Sequence, residues 1–188
     1  MAAFVLSLPE VEKEGSKTLA FPVTFAWLRE ALADTDLSAG AGDDDASVGE
    51  LLVTATKTGT DLLVQGQAQT TLEAPCARCN GPVEVALDAA FTHLLQPMPA
   101  AGAPALPDEL ELTPEDLDRD YFGGDEVALD ALVREQLLLE LPMRVVHPEG
   151  ECDPEVVGYL ESEAAAAAKV DPRLAPLLAL KGALMKDE

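Results

Sequence analysis

From Gly49 to Leu95 the sequence changes face with almost every residue, and a period of two over so long a stretch points to an antiparallel sheet. Val53 and Ala55 alternate with Thr54 and Thr56. After the turn Lys57-Thr58-Gly59-Thr60, the residues Val64, Gly66, Ala68, Thr70 and Leu72 alternate with Gln65, Gln67, Gln69 and Thr71. A second run places Val83, Val85, Leu87, Ala89, Phe91, His93 and Leu95 on one face and Glu84, Asp88 and Thr92 on the other. Strands of this kind have one wet face and one packed face. Between the two runs lies Cys76-Ala77-Arg78-Cys79, followed by Asn80-Gly81-Pro82, so the Cys-x-x-Cys is read as a knuckle joining two antiparallel strands.

Two cysteines separated by two residues can turn both thiolates to one point, which is half of a tetrahedral Zn²⁺ site. His147 and Cys152, beyond the Leu-rich segment that stops at Pro142, are the later residues able to complete it, giving a Cys₃His set of Cys76, Cys79, His147 and Cys152. His93 is a weaker fifth candidate, because it sits in an apolar row where a half-buried structural histidine is the competing reading. Unmetallated thiols are the alternative for all three cysteines. A redox Cys-x-x-Cys would open a helix after a strand in a βαβ pattern, whereas here a turn and a strand follow. His147 and Cys152 as a thiol dyad remain the enzymatic alternative, but no Gly-rich phosphate loop and no Ser nucleophile motif occur. Asp116, Asp118 and Asp120 imitate the start of a calcium loop, yet Tyr121 stands where the sharp turn needs Gly and Val127 where a bidentate Glu belongs.

The flanking sequence reads as follows. Residues 4–8 form a short strand closed by Pro9, and Phe25, Leu28 and Leu32 mark a helix over 22–34. Residues 38–47, with Asp43-Asp44-Asp45 at the centre, form a flexible acidic loop, and 96–108 a Pro/Ala-rich linker. Thr113-Pro114 starts a brief helix to about residue 120. Residues 126–129 make a strand, and Asp130 caps a helix running to Leu141, where Pro142 forbids continuation. Val133, Leu137 and Leu141, widened by Leu138 and Leu139, give that helix a broad apolar face to pack on the sheet. Asp153-Pro154 and Asp171-Pro172 open two further helices. The expected fold class is α+β: an antiparallel sheet or meander with a packed amphipathic helix, a CxxC knuckle and a helical C-terminal tail. Residues 1–152 are expected as a single domain and 153–188 as a helical extension.

Charge narrows the partners. Thirty-five Asp and Glu against 12 Lys and Arg leave a formal charge of −23 in 188 residues, and 18 of the acids fall between Asp108 and Glu163 against only three arginines. Such a surface repels phosphate, and no basic patch offers a route to direct nucleic-acid binding. It can attract a basic partner or simply keep the chain soluble. An odd cysteine count, the lack of a secretory start and the lack of an apolar run long enough to span a membrane point to a cytoplasmic protein with reduced thiols.

The order of features resembles the YceD family, bacterial proteins associated with accumulation of 23S ribosomal RNA. The resemblance is carried by the Cys-x-Arg-Cys knuckle (Cys76, Arg78, Cys79), the acidic segment leading to Leu-Leu-Leu-Glu-Leu-Pro at 137–142, the His-x4-Cys element (His147, Cys152) and the Asp-Pro-Arg-Leu tail that runs on to Leu180-Lys181. Many relatives carry further cysteines in a Cys-x-x-Cys-Gly pattern after the Leu-Pro stop, where this chain keeps only His147 and Cys152. The resemblance implies a non-enzymatic role in assembly of the large ribosomal subunit, in a family commonly encoded beside a small basic protein of that subunit. Taken with the charge, it leads us to expect as partner a basic large-subunit ribosomal protein or a pre-50S particle, with ribosomal RNA met indirectly and no membrane involved. Arg78, Asp171, Arg173, Leu174 and Lys181 are the expected partner-binding residues, and structural Zn²⁺ is the one cofactor expected. The alternatives are a zinc-binding interaction module unrelated to ribosomes and a thiol redox protein.

Overall fold

A computed structural model of the chain describes residues 2–98, 120–148 and 150–167. The chain divides into two compact units, one gathering Met1–Ala74 with Glu84–Met143, the other Pro75–Val83 with Arg144–Glu188. The architecture is α+β with antiparallel sheets, as the alternation requires. No helix among the described residues is long and apolar enough to cross a membrane.

The larger unit is built on the alternating core. Strands β3 (Ser47–Thr58) and β4 (Asp61–Pro75) pair antiparallel from Gly49 opposite Thr70 to Thr58 opposite Asp61, joined through Gly59, whose φ of 63° permits the tight reversal. Strand β5 (Pro82–Pro97) lies beside β4. Leu51, Val53, Val64, Ala68, Leu87 and Ala89 are buried, as the period of two demands. Gly66 falls in the same inward row, and a Cβ there would stand 2.3 Å from the Phe91 ring. The missing side chain is what lets the aromatic ring lie against the sheet.

Two features at the N-terminus differ from the sequence reading. The strand is shorter, β1 (Val5–Ser7), and Pro9 sits in the first turn of helix α1 (Leu8–Glu14) instead of closing the strand, because proline lacks only an N–H that a first turn leaves unpaired. Residues 16–24 form strand β2 (Ser16–Thr24), where only the approach to a helix from Pro22 was expected. Val23 is buried, Leu19 and Phe21 are half-buried, and the residues between them are more exposed, so a second alternating pattern was present. Pro22 is tolerated because β2 is the outermost strand of the five-stranded order β2-β3-β4-β5-β6. Helix α2 (Phe25–Ala31) follows, its first turn capped by the Thr24 hydroxyl accepting from Trp27 N at 3.3 Å. The acidic loop after it is tied at both ends: Ser38 and Glu73 exchange backbone hydrogen bonds, and Arg29 pairs with Asp44.

Beyond the hairpin, β5 continues to Pro97, two residues into the expected linker, and pairs in parallel with β6 (Asp120–Phe122). The remaining linker and the brief helix from Thr113 lie outside the described residues, as do Asp171, Arg173, Leu174 and Lys181. Strand β7 (Glu126–Ala128) pairs antiparallel with β1 to make a second, two-stranded sheet. Helix α3 (Asp130–Glu140) buries Val133 and Leu137, but Leu139 is 71% exposed, so the apolar face is narrower than the leucine run suggested.

Asp130 is the first residue of α3, and Leu129 holds the cap position. Its carboxylate instead accepts from Ala3 N at 2.8 Å, Phe4 N at 3.3 Å and Trp27 Nε1 at 2.9 Å. It thereby ties the N-terminal strand, α2 and α3, around a cluster in which the Phe4 and Trp27 rings lie 4.7 Å apart. Replacing Asp130 with Ala should cost about 2–3 kcal/mol, since hydrogen bonds to a charged acceptor are lost together, and Asp130→Asn, which keeps one acceptor oxygen, should cost less. Urea unfolding followed by fluorescence of Trp27, the one tryptophan, reads both; an unchanged midpoint for Asp130→Ala would contradict the assignment.

Candidate metal centre

The smaller unit begins where β4 ends, and its first residues form a turn closed by Asn80 N to Cys76 O and Cys76 N to Gly81 O, both at 2.8 Å. Asn80 holds φ of 60°, a left-handed conformation that asparagine adopts more readily than most residues. With the backbone so reversed, N–H groups converge on sulfur. Arg78 N lies 3.4 Å from Cys76 Sγ, and the Gly81 N–H is directed at the Cys79 thiol.

The second half of the site arrives after α3. Ala77 N donates to Val145 O at 2.8 Å, which holds the incoming segment beside the knuckle, and His147 N reaches Cys76 Sγ at 3.5 Å. Helix α4 (Pro154–Ala167) starts just after Cys152. The ligand atoms of Cys76, Cys79, His147 and Cys152 thus all lie within 4.8 Å of one another. Cys76 and Cys152 are buried, while Cys79 and His147 are half-buried.

The distances fit a tetrahedral ion. With Zn–S of about 2.3 Å and Zn–N of about 2.05 Å, the edges of a tetrahedron come to about 3.8 Å between sulfurs and about 3.6 Å from sulfur to nitrogen. Cys76 Sγ and Cys152 Sγ are 3.9 Å apart, and His147 Nδ1 stands 3.3 Å from Cys79 Sγ and 3.9 Å from Cys152 Sγ. His147 Nε2 is 3.0 Å from Pro82 O. A proton on Nε2 donated to that carbonyl leaves the Nδ1 lone pair facing the three sulfurs, the tautomer a metal requires. The four residues can therefore hold a metal ion, and a Cys₃His donor set suits a thiophilic dication such as Zn²⁺. An ion held by all four would have a coordination shell made entirely of protein, as structural sites do.

The electrostatics favour the thiolate at two of the four residues, Cys76 and Cys79. Burial by itself raises the Cys76 pKa, but N–H donors from Cys79, His147 and Arg78 together with His147 outweigh it and bring the thiol from 9.0 down to about 5. Cys79 is lowered, chiefly by the Gly81 N–H. Cys152 moves the other way, raised by burial and then by the neighbouring Cys76 and Cys79. His147 is raised, first by its interaction with Cys76. A dication among three thiolates would remove the repulsion that holds Cys152 protonated.

His93 is not a member of this cluster. It belongs to the larger unit, where Nδ1 lies 2.9 Å from Asp120 Oδ2 and Nε2 3.3 Å from Gln136 Nε2, a half-buried structural histidine bridging β5, β6 and α3. Arg78 is exposed, with Nη1 3.8 Å from Cys152 Sγ. Sequence reasoning did not reach the backbone partners, Val145 and the Pro82 carbonyl. Nor did it see how closely Gly81 approaches the imidazole, where a Cβ would stand 3.3 Å from His147 Cε1. The dipeptide Asn80-Gly81 after Cys79 was the available signal.

A family model described as "Large ribosomal RNA subunit accumulation protein YceD" matches residues 64–181, a span that contains all four clustered ligands. No curated protein and no solved structure matches the chain.

Two outcomes are expected at the centre. Asn80→Gly should be tolerated, whereas Asn80→Val should cost about 1–2 kcal/mol, because a β-branched residue resists positive φ; equal thermal midpoints for the two variants would contradict the turn. In reduced, metal-free protein, the depressed Cys76 thiol stabilises the fold fully above pH 9 and loses that contribution as pH falls towards 5. His147 acts oppositely, contributing fully below pH 6.5 and less as pH rises through its raised value. Urea midpoints of wild type and Cys76→Ser should therefore converge as pH falls towards 5.

Proposed function

Because the chain belongs to the YceD family, we propose that it is a non-enzymatic factor supporting accumulation of 23S ribosomal RNA and assembly of the large subunit. The observation that carries this reading is the family match over more than half of the chain. It acts by binding a basic large-subunit ribosomal protein or a pre-50S particle through an acidic face, and meets RNA through that partner. The charge supports the choice of partner: −23 overall, with Glu126, Glu135, Glu140, Glu151, Glu155, Glu161 and Glu163 all exposed. Ion pairs of Lys and Arg among the described residues involve other acids, namely Glu10, Glu12, Asp34 and Asp44. Phosphate would be repelled by this surface and Lys/Arg-rich protein attracted.

Cys76, Cys79, His147 and Cys152 hold one structural Zn²⁺ in this reading, which adds folding free energy to a unit whose described residues bury little besides the cysteines. A redox role is disfavoured because the knuckle leads into β5 and not into a helix, and because the thiol with the most depressed pKa, Cys76, is buried.

Affinity capture of the tagged chain from growing cells, divided into RNase-treated and untreated halves, tests the partner. A basic large-subunit protein should remain bound after RNase; capture that depends entirely on RNA would overturn the choice of partner. For the metal, one zinc per chain should be found by elemental analysis and lost in Cys76→Ser, with chelator lowering the thermal midpoint. A metal-free preparation indifferent to chelator would rule the ion out.

A further inference from the structure

Cys76 and Cys152 bring the two stretches of the smaller unit into contact through sulfur. Their Sγ atoms lie 3.9 Å apart, although the residues are 76 apart in sequence. All three cysteines of the chain are free thiols. A disulfide needs a separation of about 2.05 Å, so closing this pair asks for a movement of about 2 Å, which rotation of the two side chains can share.

Burial decides which sulfurs pair. A buried thiolate is costly unless something opposes its charge, and a disulfide carries no charge. Cys76 is 2% exposed and Cys152 6%, so a bond between them takes charge from the two most secluded sulfurs. The sulfur left over is then Cys79, which is half-buried, receives the Gly81 N–H and stands 3.3 Å from His147 Nδ1. Arg78 N and His147 N, 3.4 and 3.5 Å from Cys76 Sγ, can keep their places, because bonded sulfur remains a weak acceptor. A Cys76–Cys79 bond would instead lie within the knuckle and leave the two stretches unjoined.

We propose that a peroxide converts the centre into a Cys76–Cys152 disulfide, with Cys79 left as the free thiol. The thiolate struck first displaces hydroxide from the peroxide and becomes a sulfenic acid. A neighbouring thiolate attacks that sulfur, the S–O bond breaks, a second hydroxide leaves and an S–S bond forms. Exchange with the third thiolate, with all the ligand atoms within 4.8 Å of one another, settles the bond at Cys76 and Cys152. In sum, two thiols give up two electrons and two protons, and one peroxide becomes two waters. Where an ion held the thiolates, the protons come from solvent and the ion loses two of its four ligands, leaving too few to hold it. The disulfide then takes over the joining of Pro75–Val83 to the stretch that begins at Arg144. Such oxidation is stoichiometric and differs from exchange with another protein's thiol, which the burial of Cys76 obstructs; hydrogen peroxide is close to water in size. The inference rests on the reading of these four residues as one centre, and it holds with or without the ion.

The test treats the full-length chain, as purified and after chelator, with hydrogen peroxide. Remaining thiols are alkylated, peptides are mapped by mass, and released zinc is read with a chromogenic chelator. Cys79 should be the thiol that stays free, beside a Cys76–Cys152 bond that dithiothreitol reverses. The oxidised chain should unfold at a higher temperature than the same sample reduced without metal, because the bond closes a long loop of the unfolded chain. Cys79→Ser should form the same bond, whereas Cys152→Ser, confined to Cys76–Cys79, should show a smaller rise. A wild-type product bonded at Cys76–Cys79 or Cys79–Cys152, a disulfide between chains, or thiols lost to sulfinic acid without an internal bond would overturn the proposal. Equal rises in wild type and Cys152→Ser would do the same. Zinc is read separately. If the Cys76–Cys152 bond forms and the purified chain releases no zinc, the metal reading fails and the disulfide stands. If zinc is released without that bond, the disulfide alone falls.

Discussion

Convergence of four ligand atoms on one point is the constraint on which the smaller unit depends. Its two stretches, Pro75–Val83 and Arg144–Glu188, are remote in sequence. Among their described residues only Cys76 and Cys152 are fully buried. Three thiols and an imidazole are a poor substitute for a hydrophobic core, because each buried thiolate is costly unless something opposes its charge. The chain supplies part of the opposition itself: N–H groups of Arg78, Cys79, Gly81 and His147 point at sulfur, and the Pro82 carbonyl orients the imidazole. A cation completes the same logic.

The larger unit is held by different physics. Its sheet buries aliphatic side chains on one face, and its polar contacts are concentrated in a few multiply bonded groups. Asp130 serves three donors, and His93 joins Asp120 to Gln136. No buried side-chain nitrogen or oxygen among the described residues lacks a partner. Such satisfaction matters where aromatic content is only 4%, since unpaired polar groups would offset much of what the aliphatic core contributes.

Charge and function connect through the surface that remains. Asp and Glu are distributed over α3, the segment after it and α4, while the few ion pairs lie mostly on the first half of the chain. A surface of this charge attracts cationic groups and repels phosphate. The chain belongs to a family named for accumulation of large-subunit ribosomal RNA.

Local pattern determined the sheet. Alternation from Val53 to Leu95 placed β3, β4 and β5 and their buried faces, and Pro142 stopped α3, since both effects act within a few residues. The four clustered residues were also legible as a group, because thiols and imidazoles are few in this chain. Other assignments depended on distant partners. Pro22 was read as a helix start because edge position, which makes proline harmless, is a property of the whole sheet. Asp130 was read as a cap because its true donors, Ala3, Phe4 and Trp27, are brought to it only by folding. His93 and His147 are alike in sequence, each with apolar neighbours. Tertiary structure alone decided that one meets a carboxylate and the other three sulfurs, because ligation depends on distances between residues that no local period encodes.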